Sequence, residues 1–243
     1  MPSSDVVVLG AGAIGSAVAW RCAQRGLAVT LVDPGGGRGA WHTAAGMLAP
    51  ITELHYTETP LLHLNLDSLA RFPAFATEVS EESGRPTGFR ECGTLLAAWD
   101  GADLATLRDL HAFARGLGVH AELLSGRELR ELEPALAAGL PGGLLAAGDH
   151  QVDPRLLHAA LLAAGRRRGV QVIDSSGSVL VDRGAVRGVR VTGGAVITTR
   201  HVVLATGCWT GQVEGVPAGF VVGESVNAIV GLRESSRCSA QGR

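Results

Sequence analysis

Gly10, Gly12 and Gly15 stand in the spacing G-x-G-x-x-G within VVVLGAGAIGSAVAW, residues 6–20. Glycines at these intervals, between a strand and a helix, suit dinucleotide binding. The first permits a tight turn, the second lets backbone approach a pyrophosphate, and the third lets helix pack on strand. Asp33 closes the next apolar run, LAVTLVD, where a carboxylate can accept from ribose hydroxyls and disfavours a 2′-phosphate. Ala205, Thr206 and Gly207 end another apolar run, HVVLATG. Small residues there suit a cofactor lying against backbone. A fourth stretch, TAAGMLAP at 43–50, has Ala44, Ala45 and Gly46 in a row. With no bulky side chains, its N–H groups could reach a flat ring system and favour negative charge building on it.

The elements that must hold these residues follow from periodicity. DVVVLG is a buried strand. AIGSAVAWRCAQRG is a helix, with Ile14, Ala17, Val18 and Cys22 expected on its packed face and Gly26 at its end. LAVTLVD is a second buried strand, so the opening is a parallel βαβ unit. A long helical region is expected over about 59–83, a strand in FRECGTLLAAW, and an amphipathic helix in DGADLATLRDLHAFARGLG. SGRELRELEP opens with a capping box, Ser125 to Glu128. GGLLAAGDHQV reads as strand and turn, with Asp149 and His150 leading into the next helix cap rather than forming a catalytic pair. In DPRLLHAALLAAGRRRG, Asp153 and Pro154 mark the helix start, and Arg166–Arg168 read as a solvated end. VQVID, SVLVD, AVRGVRVT and AVITTR give one parallel strand and an antiparallel meander.

A nicotinamide-type domain would continue βαβ directly after Asp33. This chain instead departs and returns near residue 150, which favours FAD over NAD. The expected fold is α/β, an FAD-binding Rossmann-like domain of the two-dinucleotide-binding kind. Its discontinuous domain would occupy 1–50 and 150–215. An inserted, incomplete α+β substrate portion would occupy 51–149, and 221–243 is an atypical tail.

Composition bounds the alternatives. The chain has 243 residues, 46% apolar and 18% charged, with net charge −2. It can bury a large core and offers no electrostatic case for nucleic acid. Cys22, Cys92, Cys208 and Cys238 show no metal-type pairing. They read as buried small hydrophobes in a reducing cytosol, so a cytoplasmic location is expected. The histidines are dispersed, and no metal site is expected. MPSSD has no basic or apolar leader region, and no run reaches membrane-spanning length, so neither a signal peptide nor a membrane partner is expected.

The glycine turn, VDP, AAGMLAP, SGRELRELEP, GDHQVDP and ATGCWTG, in this order, resemble the D-amino-acid oxidase superfamily, and within it the glycine oxidase (ThiO) type of bacterial thiamine biosynthesis. The resemblance covers about residues 5–218. It implies FAD as cofactor, a small amino acid or N-methylated amine and O2 as substrates, and an imine and hydrogen peroxide as products. It places FAD contacts at Ala13 and Ile14, Asp33 and Pro34, Ala40 and Trp41, and Ala45, Gly46 and Met47. A further backbone contact falls near Ser178 or Val179. The carboxylate-binding arginine of the family lies in its C-terminal third. After GVPAGF the family's pattern is not matched, so the catalytic residues stay unassigned and the role passes to neither Arg233 nor Arg237. The residues leave open an FAD-binding protein without turnover, an NAD-dependent dehydrogenase, and a homo-oligomer. Without its expected partner strands, the inserted sheet would keep an uncovered apolar face.

Overall fold

The computed structural model describes residues 3–35, 39–216 and 230–232. In chain order the elements are β1 Val6–Leu9, α1 Ala13–Gln24, β2 Val29–Asp33, α2 Ala40–Thr43, β3 Met47–Leu48, α3 Thr59–Ser83 and β4 Thr94–Ala98. There follow α4 Gly101–Gly116, β5 Glu122–Ser125, α5 Gly126–Leu132, β6 Gly142–Ala146, β7 His150–Gln151 and α6 Pro154–Arg167. The chain continues with β8 Gln171–Asp174, β9 Gly177–Asp182, β10 Ala185–Val191, β11 Val196–Thr198, β12 Val202–Leu204, a 3-10 helix Gly207–Gln212 and β13 Val230–Leu232.

Two compact units form, residues 1–44, 78–87 and 154–243, and residues 45–77 and 88–153. The division falls after Ala44 rather than after residue 50, and the end of α3 belongs to the first unit. Charge explains that return. Glu78 pairs with Arg21 at 2.7 Å, and Glu82 pairs with Arg168 and accepts from Gln24. The arginine run at the end of α6 is therefore tied down at Arg168, whose partner is Glu82, and at Arg167, which donates to the Glu82 carbonyl.

In the first unit the sheet order is β13-β12-β1-β2-β8. Strands β12, β1, β2 and β8 run parallel, and β13 joins β12 antiparallel. Residues 230–232 of the tail thus supply an edge strand. Residues 233–243, with Arg233, Arg237 and Cys238, lie outside the described residues.

Alternation along β1 sorts the core. Val7 and Leu9 pack with Val32, Val202 and Leu204 against the meander β9–β11. Val6 and Val8 pack with Ala19, Ala23, Leu31 and Val170 on the helical side. Each such valine or leucine, taken fully out of water, contributes about 1.5–3 kcal/mol. The buried stripe of α1 is Gly15, Ser16, Ala19, Trp20 and Ala23. That corrects the expected face of Ile14, Ala17, Val18 and Cys22, which are half-buried. The inward stripe joins four small residues to the fully buried Trp20, and Gly15 lies directly against the Gly10 carbonyl.

In the second unit β4-β6-β5 form an antiparallel sheet. Leu96, Leu144 and Ala146 pack there with Ile51, Leu107 and Leu110. Asp100 caps α4, accepting from the N–H groups of Ala102 and Asp103, and the Ser125–Glu128 capping box is present on α5. The expected strand at FRECGTLLAAW is shortened to 94–98, with Arg90 making an isolated bridge to Gln151. Gly93, at φ +69°, breaks the run. Cys92 and Cys208 are exposed and Cys22 is half-buried, against the expectation of buried thiols.

Candidate functional site

In the first unit, β1 and β12 end side by side at the glycine turn, and Ala205 donates its N–H to Leu9 O at 2.8 Å. Gly10 has φ +98°, and a Cβ there would meet Ala205 O at 2.3 Å. A Cβ on Gly15 would meet Gly10 O at 1.9 Å. Both glycines are demanded by the fold itself. Gly12 differs: the nearest atom to its missing Cβ is Trp41 Cδ1, at 3.7 Å. Its side opens onto space.

Gly12 is also the N-cap of α1, where no side chain caps and no acidic residue occupies the first turn. The leading N–H groups of a helix attract anions through their unpaired hydrogens and the axial dipole. A pyrophosphate fits this end.

Asp33 is fixed against the turn. Its Oδ2 accepts from Ala11 N–H at 2.7 Å and its Oδ1 from Gly35 N–H at 2.8 Å. Each carboxylate oxygen keeps a second lone pair, so ribose hydroxyls can still donate to it. Thr206 and Gly207 follow at the tip of β12, where the Thr206 and Thr210 hydroxyls share a hydrogen bond of 2.9 Å.

Ala40 and Trp41 form the first turn of α2. Pro34 is exposed beside Asp33. Val179 lies in β9, buried, with its N–H already given to Glu214 O at 2.8 Å.

One side chain here escaped the sequence reading. His158, nearly buried on α6, places Nε2 2.6 Å from Ala11 O and stacks on Trp41 with ring centroids 3.7 Å apart. A carbonyl can only accept, so Nε2 carries the hydrogen. Burial pushes this imidazole below its ordinary range, opposed by the Ala11 carbonyl and the Asp33 charge. No local pattern marks His158, since its partners lie over a hundred residues away in the chain.

In the second unit, Gly46 takes φ +80° and its carbonyl accepts from Val152 N–H at 2.8 Å. Met47 then pairs with Gln151, and Gln151 with Arg90. Directly opposed residues share a face, so Met47, Gln151 and Arg90 form one row. With the Gln151 amide turned so that its oxygen faces Arg90, the guanidinium donates to it at 2.9 and 3.2 Å. Asp149 is fully buried and accepts from Ile51 N–H, Thr52 N–H and the Thr52 hydroxyl at 2.8–3.0 Å. It follows a turn on the way to α6, as expected, and its carboxylate also ties that turn to the segment at Ile51–Thr52. Among the described residues no acidic, His or Cys cluster could hold a metal, and no helix is long and apolar enough to cross a membrane.

A parallel sheet with its glycine turn at an uncapped helix end, an acid at the end of the second strand and a three-stranded meander defines a dinucleotide-binding protein. Comparison with known proteins gives the family. FAD-dependent oxidoreductases of the DAO family match residues 5–229, and the chain belongs to that family, whose cofactor is FAD. It is 34% identical to glycine oxidase of Geobacillus kaustophilus over 86% of this chain and 56% of that protein. It is 30% identical to the bifunctional protein ThiO/ThiG of Trichormus variabilis over 88% of this chain and 32% of that one. The crystal structure of the Geobacillus kaustophilus enzyme superposes with a TM-score of 0.81 at 32% identity, covering 88% of this chain and 58% of that one. The chain spans about half the length of these glycine oxidases.

Proposed function

We propose that the protein takes part in FAD-dependent oxidation of glycine or another small amino acid or N-methylated amine. The observation that carries the reading is the open, uncapped turn at Gly12 in a chain with 34% identity to a glycine oxidase. Bound FAD would supply the two-electron acceptor, with O2 as the final oxidant, reduced to hydrogen peroxide. The amine loses the hydride from Cα and a proton from nitrogen, giving an imine that water hydrolyses.

The residues divide the work. Gly10, Gly12, Ala13, Ile14 and Gly15 receive the pyrophosphate at the start of α1. Asp33, with Pro34 beside it, accepts from the ribose hydroxyls. Ala40 and Trp41 flank the phosphates, and Ala205, Thr206 and Gly207 keep the strand tip low. Val179, whose N–H is held by Glu214 O, would serve the adenine end through its carbonyl. Ala45, Gly46 and Met47 are the flavin segment. Their lack of large β-carbon substituents before Met47 leaves N–H groups free to approach a ring. The unit that holds the glycine turn would then act as the FAD-binding domain, and residues 45–77 and 88–153 as part of the substrate domain. A role in thiamine biosynthesis and a cytoplasmic location belong to the same proposal.

The test is peroxide formation with glycine, sarcosine and D-alanine. It is run on the 243-residue chain and on a chimera in which the part of the Geobacillus enzyme beyond the match replaces residues after Phe220. Turnover by either supports the reading, and turnover by the chimera alone assigns this chain the cofactor-binding share. FAD-loaded protein that oxidises none of the three in either form overturns it.

A further inference from the structure

We propose that His158 is a positioning residue for the dinucleotide, setting both the Ala11–Gly12 peptide and the Trp41 ring. The inference rests on FAD being the ligand of the Gly10–Gly15 turn.

The argument begins with a single planar peptide. A trans peptide points its C=O and the following N–H in opposite directions. Ala11 O receives two donors, Nε2 of His158 at 2.6 Å and the Ser16 hydroxyl at 3.0 Å. Ala11 N–H is held separately by Asp33. With both sides of Ala11 fixed, the Gly12 N–H must point opposite to the Ala11 carbonyl, away from the His158 ring that the carbonyl faces. That N–H belongs to the residue whose missing side chain leaves the opening. A turn held this way in advance gives a bound anion a preset donor, and ordering it on binding costs less.

The same imidazole sets Trp41. The rings are stacked at 3.7 Å with planes 19° apart. Gly39 permits this, because a Cβ there would lie 2.8 Å from Trp41 Cδ1. Trp41 Cδ1 is in turn the nearest atom to the space beside Gly12. His158 thus determines how far the indole stands from the position a phosphate would take.

FAD affinity of the 243-residue chain, measured by equilibrium dialysis, tests this alongside melting of the apoprotein. His158→Leu keeps bulk and removes the donor, while His158→Gln restores an N–H near the Nε2 position. Trp41→Leu removes the stack without touching the Ala11 carbonyl. The expected result is an FAD Kd raised about tenfold in His158→Leu, the scale of one lost buried hydrogen bond, and within about threefold of the parent in His158→Gln. Trp41→Leu also weakens FAD, and it carries the test if His158→Leu does not fold. Rescue by glutamine separates positioning from general packing, since packing favours leucine. FAD binding by His158→Leu and Trp41→Leu equal to the parent's overturns the proposal. A parent chain that binds no FAD overturns the cofactor assignment, and the positioning role with it.

Discussion

Three glycines of one motif have different reasons to be glycine, and that difference can be measured. Gly15 lies against the Gly10 carbonyl, so a methyl group at residue 15 would overlap backbone at 1.9 Å. Gly12 faces space bounded by Trp41 at 3.7 Å, an ordinary contact distance. Gly15→Ala should therefore fail to fold or melt far below the parent. Gly12→Ala should melt close to the parent, since Ala for Gly at an N-cap costs under about 1 kcal/mol. Its FAD affinity should still fall at least about tenfold, because the methyl group occupies the approach of the pyrophosphate, and Gly12→Val should abolish binding. Melting curves and FAD titration of the variants decide this. Parent-like FAD affinity in Gly12→Ala would remove Gly12 from the site. The motif and Asp33 were legible in the sequence because strand, turn, helix and acid follow one another at short, fixed spacings. His158 and Arg90 were not, because what makes them notable is a partner brought close by the fold.

At the scale of elements, the expected strands and helices form, and the departures have local causes. α1 turns Gly15, Ser16, Ala19, Trp20 and Ala23 inward, with Gly15 against the Gly10 carbonyl, a close approach that apolar periodicity does not report. β4 begins late because Gly93 takes a left-handed conformation. Asp149 shows how a loop acquires structure. Its carboxylate sits without solvent exposure and gathers three donors from Ile51 and Thr52, which directly follow the segment Met47–Pro50. Removing it leaves those donors unpaired where water reaches poorly. Asp149→Ala should destabilise the chain by on the order of 3 kcal/mol, and Asp149→Asn, which keeps one acceptor oxygen, by less. Chemical denaturation measures both. A change in Asp149→Ala below about 0.5 kcal/mol would mean that the tie does not stabilise the fold.

For the whole molecule, the departure after Asp33 and the return near residue 150 were readable because parallel strands, a helix cap and a meander each leave a pattern. The return of residues 78–87 was not, since ion pairs between distant segments set it. Those ion pairs and the buried groups also bound the pH range of stability. Burial holds the His158 imidazole below its usual value. In the window just below about 6.5 the unfolded chain takes up this proton while the folded chain does not, so stability falls as pH falls. The Arg168 hydrogen bond holds Glu82 below the ordinary carboxylate range, assisted by Gln24 and Trp20 and opposed by burial. Its contribution is present above about 4.3 and is lost on further acidification. On the alkaline side burial raises the Cys22 thiol, against the pull of Arg25. Above about 8.5–9 the unfolded chain gives up that proton first, and stability falls as pH rises. Melting of the apoprotein should therefore form a plateau between about 6.5 and 9 with a decline on each side. His158→Gln should remove the first part of the acid decline and leave the step near Glu82 in place. A melting temperature in the parent that stays level from pH 7 down to 5 would contradict the assignment of His158 as a buried neutral imidazole.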